Sequence, residues 1–107
     1  MPRGRDRQQE FSKLPIPDRE KGEMFAIAEK VLGGPHISVI CEDGKTRLGR
    51  IKGKLLKRMW IQPGDLLIVR PWPFQDEKAD ILFRYTKTEA LWLSRKGLLP
   101  EELNVFE

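Results

Sequence analysis

Residues 36–51 read HISVICEDGKTRLGRI, and this stretch decides the fold. Its first half alternates, so that Ile37, Val39 and Cys41 share one face, as in a strand with one buried side. Asp43-Gly44 follows, and this dipeptide favours the tight turn of a β-hairpin. The chain then returns through a second run at residues 45–52. The sequence therefore predicts an antiparallel strand pair, which neighbouring runs extend into a sheet.

The returning strand departs from simple alternation. Leu48 and Ile51 lie three positions apart, so both can be buried only if the strand bulges. Gly49 lies between them, and glycine in a strand often marks a bulge. We therefore expect a β-bulge at Gly49.

Three further runs have strand character. Residues 24–32 tolerate a helix by composition, but they end at the breaker Gly33-Gly34-Pro35 beside the predicted hairpin, which favours a strand. Residues 66–69 are continuously apolar, as in a buried strand, and the prolines at 71 and 73 are expected to end it. Residues 79–85 alternate again, and the residues expected on their common face are Ile81, Phe83 and Tyr85.

Two other segments complete the secondary structure. Residues 54–61 form a connector that can hold a helical turn, and the apolar residues expected to plug one end of a barrel from it are Leu55, Leu56, Met59 and Trp60. Residues 86–96 have helical character, with Thr88 as the expected cap and Gly97 as the stop.

Five short strands, a connector after the third and a C-terminal helix predict an all-β fold, a five-stranded barrel of the OB type. A sandwich would need about seven strands. Another small barrel, such as an SH3-like one, remains the alternative. The expected organisation is a flexible basic tail at residues 1–21, the barrel at residues 22–86, and a helix with a short acidic tail at residues 87–107. With 107 residues, 39% of them hydrophobic, the chain can enclose one core.

The charge distribution is more informative than the formal net charge of +4. Between residues 45 and 60 the chain has cations and no acid, whereas residues 100–107 carry only acids. A local basic excess next to an aromatic residue is typical of RNA-binding surfaces. The cations of this basic run are Lys45, Arg47, Arg50, Lys52, Lys54, Lys57 and Arg58. Because no acid interrupts it, we expect no local ion pairing, and RNA contact rather than a merely solvated face.

Other candidate contacts carry less weight. Trp60 either stacks on an unpaired base or plugs the barrel. Arg70 and Arg84 lie at the ends or outer faces of predicted strands, where ligands of OB barrels pass. The tail cations form a second contact with RNA or only add solubility, and they are Arg3, Arg5 and Arg7.

Several function classes find no support in the sequence. Cys41 is the single cysteine, so an intramolecular disulfide is excluded, and its place on the apolar face indicates a buried thiol. His36 has no companions at metal-ligand spacing, and we expect it at the surface. No nucleophile, base and orienting group occur together, so neither catalysis nor a cofactor is expected. The first ten residues lack the apolar stretch of a leader, and no run is long enough for a membrane span.

The ordered motifs resemble the translation initiation factor 1A family of archaea and eukaryotes, which is similar to the small bacterial OB-fold initiation factor. The resemblance covers about residues 22–104. The segments that carry it are Cys41–Gly44, Arg47-Leu48, Arg50–Lys54, Lys57-Arg58, Trp60-Ile61, Gly64-Asp65, Leu67–Val69, Gln75–Ile81, Arg84-Tyr85, Glu89-Ala90, Gly97 and Leu99–Glu101.

This resemblance implies a cytoplasmic, monomeric factor that binds ribosomal RNA of the small subunit near the decoding (aminoacyl) site. Such a factor promotes assembly of the complex with mRNA and initiator tRNA, together with other initiation factors that include a translational GTPase. By position, the family's RNA-contacting residues are Arg47, Arg50, Lys52, Lys54, Lys57, Arg58 and Trp60. The chain is similar to the archaeal, short-tailed form, which leaves Glu101–Glu107 or the helix for any contact with the GTPase.

Two other functions remain open on the residues alone. A general single-strand RNA chaperone would need several exposed aromatic side chains on one sheet face, whereas Phe25, Phe83 and Tyr85 are expected in the core. A protein-interaction module would instead use the acidic C-terminus and the helix.

Overall fold

The hairpin predicted from residues 36–51 is present in the computed structural model, which describes residues 14–53 and 60–103. Strand β2 is His36–Cys41 and strand β3 is Thr46–Ile51. Gly44 closes the turn between them with a φ of 86°, a conformation that glycine adopts without steric cost. The remaining elements are β1 Met24–Gly33, β4 Leu66–Trp72, β5 Gln75–Arg84, helix α1 Lys87–Arg95, and 3-10 turns at Arg19–Lys21 and Glu101–Leu103.

The five strands of the described residues form a closed barrel in the order β1-β2-β3-β5-β4. Neighbours are antiparallel except β3 and β5, which run parallel, and β1 pairs with β4 to close the sheet. The chain passes from β3 to its parallel neighbour β5 by way of the connector and strand β4, because parallel strands cannot be joined by a tight turn. This order and the helix after β5 confirm the predicted OB-type barrel.

The continuous apolar run at residues 66–69 is buried on both faces of the sheet. Leu67 and Val69 belong to the cluster that fills the barrel, and Leu66 and Ile68 belong to another cluster under helix α1. Successive residues of a strand point to opposite faces, so a strand between two apolar layers has no polar positions. The run therefore reflects a strand between the barrel interior and the helix.

Gly49 does not form the predicted bulge. The β2–β3 register is regular from residue 36 to residue 50, and the inward-facing residues of β3 are Arg47, Gly49 and Ile51. Leu48 lies on the outer face and is half-buried, so it needs no bulge. A Cβ at Gly49 would lie 2.9 Å from both the Ile37 carbonyl oxygen and Ile81 Cδ1, so glycine is needed for close packing.

Strand β4 continues through Pro71, where the sequence predicted its end. Pro71 pairs with Ala79, and Trp72 pairs with Gln75 across the β4–β5 hairpin. Strand β1 pairs with β4 only up to Val69, so β4 has a single neighbouring strand at Pro71. A proline is tolerated at such an edge because only one side of the strand needs hydrogen bonds.

The predicted common face of Ile81, Phe83 and Tyr85 is also wrong. Ile68 pairs with Phe83 and Val69 with Ile81, so the register skips Leu82 and β5 bulges there. Ile81 consequently packs inside the barrel, whereas Phe83 and Tyr85 pack in the cluster under the helix.

Helix α1 begins at a capping box rather than at the predicted Thr88. The Thr86 side chain accepts a hydrogen bond from the Glu89 backbone N–H, and the Glu89 carboxylate accepts one from the Thr86 backbone N–H. Gly97, with a φ of 70°, follows the last turn as predicted. No helix of the described residues is long and apolar enough to cross a membrane.

Residues 14–21, assigned to the tail by their composition, contact the barrel. The Tyr85 hydroxyl donates a hydrogen bond to the Pro15 carbonyl oxygen, and Leu14 packs against the cluster under the helix. Arg19 lies over the Phe25 ring, 5.8 Å from its centroid, and pairs with Glu42. The composition of residues 14–21 predicted that they would not pack on the barrel, because they contain no long apolar run. The contacts that they make need only isolated residues.

Candidate nucleic-acid interface

Arg50 lies near the end of β3 and Lys52 directly follows the strand, and both side chains are exposed. Strand alternation places Arg50 on the outer face of the barrel, and Lys52 lies two residues further along the chain. Within the described ranges, 14–53 and 60–103, neither forms an ion pair with a carboxylate. Cations without a protein partner are available to bind phosphates.

Trp60 is exposed over 78% of its surface. It is therefore not the plug of the barrel that one prediction proposed. The adjacent Ile61 is buried in the barrel cluster instead. The exposed indole of Trp60 is available to contact a partner, and its stacking on a base remains a prediction.

Arg47 was predicted among the RNA-contacting cations, but only 3% of its surface is exposed. Its Nη2 atom lies 2.9 Å from Asp43 Oδ2 and 3.1 Å from Asp76 Oδ1, and its Nε donates to the Asp76 carbonyl oxygen. Arg47 lies an odd number of positions from Arg50, so strand alternation places the two on opposite faces. The structure therefore gives Arg47 a structural role in joining β3 to the start of β5.

The pKa directions agree with this role. Burial alone lowers the pKa of Arg47, but its hydrogen bonds to Asp43, Cys41 and Asp76 outweigh burial and raise that pKa above its ordinary value. The hydrogen bond from Arg47 lowers the pKa of Asp43, and those from Lys45 and Arg47 lower that of Asp76. All three groups remain charged at neutral pH.

The expectation of no ion pairing within the basic run is wrong for its first members. Lys45 Nζ lies 3.0 Å from Asp76 Oδ2, and Arg47 pairs with both Asp43 and Asp76. Asp43 lies just before the run, and Asp76 comes from β5, which only the barrel topology brings next to β3. Among the cations of the run at residues 45–52, which the structure describes, Arg50 and Lys52 are thus the two without a carboxylate partner.

Arg70 and Arg84 have different surroundings. Asp80 pairs in register with Arg50 on one side and with Arg70 on the other, so these two cations lie across the same outer face. Arg70 Nη2 is 4.0 Å from Asp80 Oδ2. Arg84 lies at the far end of β5, where its Nη1 is 4.0 Å from Asp65 Oδ2. The structure brings Arg70 together with Arg50 but places Arg84 apart from them.

The remaining predicted contacts lie outside the described residues. They are Arg3, Arg5 and Arg7 of the tail, and Lys54, Lys57 and Arg58 of the connector, together with the predicted plug residues Leu55, Leu56 and Met59.

Trp72 and Phe74 are surface features that the sequence reasoning missed. Phe74 is 98% exposed, and Trp72 lies half-buried on the same outer face as Arg50 and Arg70. The signal was the Pro71-Trp72-Pro73-Phe74 sequence, in which two aromatic residues occur beside turn-forming prolines.

Cys41 and His36 are placed as predicted. Cys41 is a buried free thiol whose pKa is raised, chiefly by burial, and His36 is exposed at the start of β2. Among the described residues no group of histidine, cysteine and acidic side chains is arranged to hold a metal ion.

Comparison with known proteins agrees with the fold. The family model described as "Translation initiation factor 1A / IF-1" matches residues 12–107. The Translation initiation factor 1A of Thermoplasma acidophilum is 50% identical over 104 residues, which cover 97% of this chain and 87% of that protein. That of Picrophilus torridus is 57% identical over 90 residues, covering 84% of this chain and 83% of that protein.

A solved structure shows the fold alone. The crystal structure of YjeQ from Thermotoga maritima matches with a TM-score of 0.50 at 20% identity, over 60% of this chain and 23% of that chain. The evidence of family comes instead from the sequence matches, which run through the barrel strands, the exposed end of β3 and helix α1. On those matches, the chain belongs to the translation initiation factor 1A family.

Proposed function

We propose that the chain binds ribosomal RNA of the small subunit near the decoding (aminoacyl) site. There it promotes assembly of the initiation complex with mRNA and initiator tRNA. It acts in the cytoplasm as a monomer, without a cofactor, alongside other initiation factors that include a translational GTPase. Membership of the initiation factor 1A family supports the process, and the surface at the end of β3 supports RNA as the ligand.

The observation that carries the proposal is the pair of exposed cations Arg50 and Lys52. Neither has a carboxylate partner in the described part of the chain, so both side chains can bind phosphate without breaking an internal ion pair. Release of counterions from the RNA then favours binding at each neutralised phosphate. Lys45 and Arg47, by contrast, would first have to leave their carboxylates.

Trp60 supplies a different kind of contact in this proposal. Its exposed indole follows the connector, and aromatic rings at such positions stack on unpaired bases, which the loops of ribosomal RNA provide. Arg70 extends the cationic face, and Arg84 contacts RNA separately, from the far end of β5. By resemblance to the family, Lys54, Lys57 and Arg58 join the same contact, and Arg3, Arg5 and Arg7 reach RNA from the tail.

Chemical probing of small-subunit ribosomal RNA tests the location. Archaeal small subunits are probed with and without saturating protein, and we expect protection confined to bases of the decoding region. The Lys52→Glu variant, at a concentration that saturates the wild type, should protect the same bases more weakly. Protection elsewhere, or none at saturation, contradicts the proposed location.

The role in assembly has its own test. Initiator tRNA retained on mRNA-programmed small subunits is measured with the other initiation factors present, with and without the chain. We expect the chain to increase the retained tRNA. No increase at concentrations that protect the ribosomal RNA would separate binding from this role and contradict the latter.

A further inference from the structure

The β4–β5 hairpin presents aromatic surface that neither the barrel nor the basic run explains. Phe74, at its tip, is 98% exposed, and Trp72 lies two residues before it, at the end of β4. A side chain as apolar as Phe74 gains nothing for folding in that position. An exposed aromatic residue beside another one is more typical of a binding surface.

The hairpin forms one wall of a cavity of about 550 Å³. This volume lies within the range of small-ligand sites and is large enough for a planar ring with its attached sugar. The lining residues that matter here are Lys21, Arg70, Trp72, Phe74, Gln75 and Asp80. Trp72 also lines a neighbouring cavity of about 180 Å³, which it shares with Arg50 and Lys78.

The Trp72 ring is held in place by a hydrogen bond from its indole N–H. Its Nε1 donates a hydrogen bond of 3.1 Å to Asp80 Oδ1, and Lys78 Nζ lies 5.3 Å from its ring centroid. The only polar atom of the indole side chain is thereby occupied. What Trp72 can still offer a ligand is apolar ring surface, which suits stacking on another planar group.

The charges around the hairpin select the kind of planar group. Lys21 and Arg70 line the larger cavity, and Arg50 and Lys78 line the smaller one. Among the described lining residues, the one carboxylate is Asp80, which already accepts from Trp72 and lies near Arg70. A ligand that fits rings and cations together is planar and negatively charged. A proline-rich peptide suits aromatic grooves but brings no negative charge to these cations.

We infer that the β4–β5 hairpin binds one unpaired nucleobase of RNA, held by Trp72 and Phe74, with the flanking phosphates near Arg50 and Arg70. The inference rests on the proposed RNA-binding function and adds a base-binding site to its phosphate contacts. Asp80 acts as a positioning residue, because it fixes the indole and does not need to touch the base.

Paired short single-stranded RNAs test this directly. The two RNAs are identical except that one has adenine and the other an abasic ribose at a central position. Base–aromatic stacking predicts that the wild type binds the adenine RNA about tenfold more tightly than the abasic RNA. In Phe74→Ala this preference should shrink severalfold while affinity for the abasic RNA stays unchanged. Phe74→Trp should keep the preference.

Thermal unfolding of each variant is the control for correct folding. Phe74 has almost no buried surface to lose, so Phe74→Ala should unfold at the wild-type temperature. Trp72→Leu should also lose the preference, and Trp72→Phe should retain part of it. Equal wild-type affinity for the two RNAs, or no measurable binding of either at low salt, overturns the inference. So does a preference that survives both Phe74→Ala and Trp72→Leu, or displacement of the RNA by a neutral proline-rich peptide.

The outcomes also separate this inference from the proposed function. Lys52→Glu should weaken binding of both RNAs by the same factor, because it removes a phosphate contact and leaves the hairpin intact. Loss of the base preference with intact protection of the decoding region removes only the hairpin site. A base preference without that protection contradicts the ribosomal location and leaves the hairpin site standing.

Discussion

At Gly49 the inner face of β3 has no room for a side chain. The nearest atoms to an added Cβ, the Ile37 carbonyl oxygen and Ile81 Cδ1, come from the neighbouring strands β2 and β5. Gly53 differs, because a Cβ there meets no atom of the described residues within 4 Å and its backbone does not have a positive φ. The chain therefore contains a matched pair of glycines in which one is constrained by packing.

Gly49→Ala should lower the free energy of unfolding by about 1–3 kcal/mol, the usual cost of overpacking a core. Denaturant unfolding measures this loss. Gly53→Ala should change stability by less than about 0.5 kcal/mol. Equal effects of the two substitutions would show that close packing at β3 is not what requires glycine.

A second prediction concerns the charges around Arg47. Arg47→Met should lower the free energy of unfolding at neutral pH by about 1–3 kcal/mol, because the buried Arg47 side chain loses its part-buried hydrogen bonds to Asp43 and Asp76. Lys45→Met is the control, since its ion pair with Asp76 is exposed to solvent and should contribute little to stability.

The pH dependence of that difference has a defined sign. The folded-state pKa values of Asp43 and Asp76 lie below the ordinary value of 3.8. Their contribution is thus complete above pH 3.8 and is lost as pH falls through the lowered values. The difference in free energy of unfolding between wild type and Arg47→Met should therefore narrow as pH falls below 3.8, leaving the part due to the Asp76 carbonyl oxygen. A stability gap that stays constant to pH 2 contradicts the assignment of Arg47 to these carboxylates.

At the scale of elements, helix α1 depends on its capping box. Thr86→Ala should destabilise the protein by about 1 kcal/mol, because the Glu89 backbone N–H loses its acceptor. Thr88→Ala is the matched control, since Thr88 is exposed within the first turn. Thermal unfolding should separate the two variants. A larger loss in Thr88→Ala would restore the cap that the sequence indicated.

The sequence predicts an element well when its cause lies in neighbouring residues. Alternation and Asp43-Gly44 predicted β2 and β3, because period and turn chemistry are properties of neighbouring residues. The bulge at Leu82 and the extension of β4 through Pro71 depend on which strands lie alongside, and a single sequence does not contain that information. The cap at Thr86 was missed for a different reason, because the local Thr86–Glu89 spacing of a capping box was not used.

The candidate site was predictable in part for similar reasons. Arg50 and Lys52 were predicted as RNA contacts from the acid-free run of cations, and both side chains are exposed. Arg47 was predicted to contact RNA together with Arg50, although its odd spacing from Arg50 already indicated the opposite side of the strand. Asp76 as its partner was not predictable, because parallel pairing of β3 with β5 brings the two together. Phe74 was overlooked because apolar residues were considered mainly as core.

At the scale of the whole molecule, the barrel separates stability from recognition. Its interior and the layer under α1 hold the apolar residues, and the outer face of β3, β5 and β4 carries Arg50, Arg70 and Trp72. Substitutions on that face should therefore change RNA affinity more than folding. Those in the core, such as Leu93→Ala, should cost about 2–5 kcal/mol of stability.

The central claim is that unpaired cations at the end of β3 bind small-subunit RNA. Its most direct test is the affinity for purified small subunits across a salt series for Arg50→Glu, Lys52→Glu and Lys87→Glu. Lys87 is exposed at the start of α1, and its reversal changes the net charge equally. We predict that Arg50→Glu and Lys52→Glu each bind severalfold more weakly, with a salt slope smaller by about one, and that Lys87→Glu matches wild type. Equal weakening in all three variants, or wild-type affinity and slope in the two β3 variants, would contradict the claim.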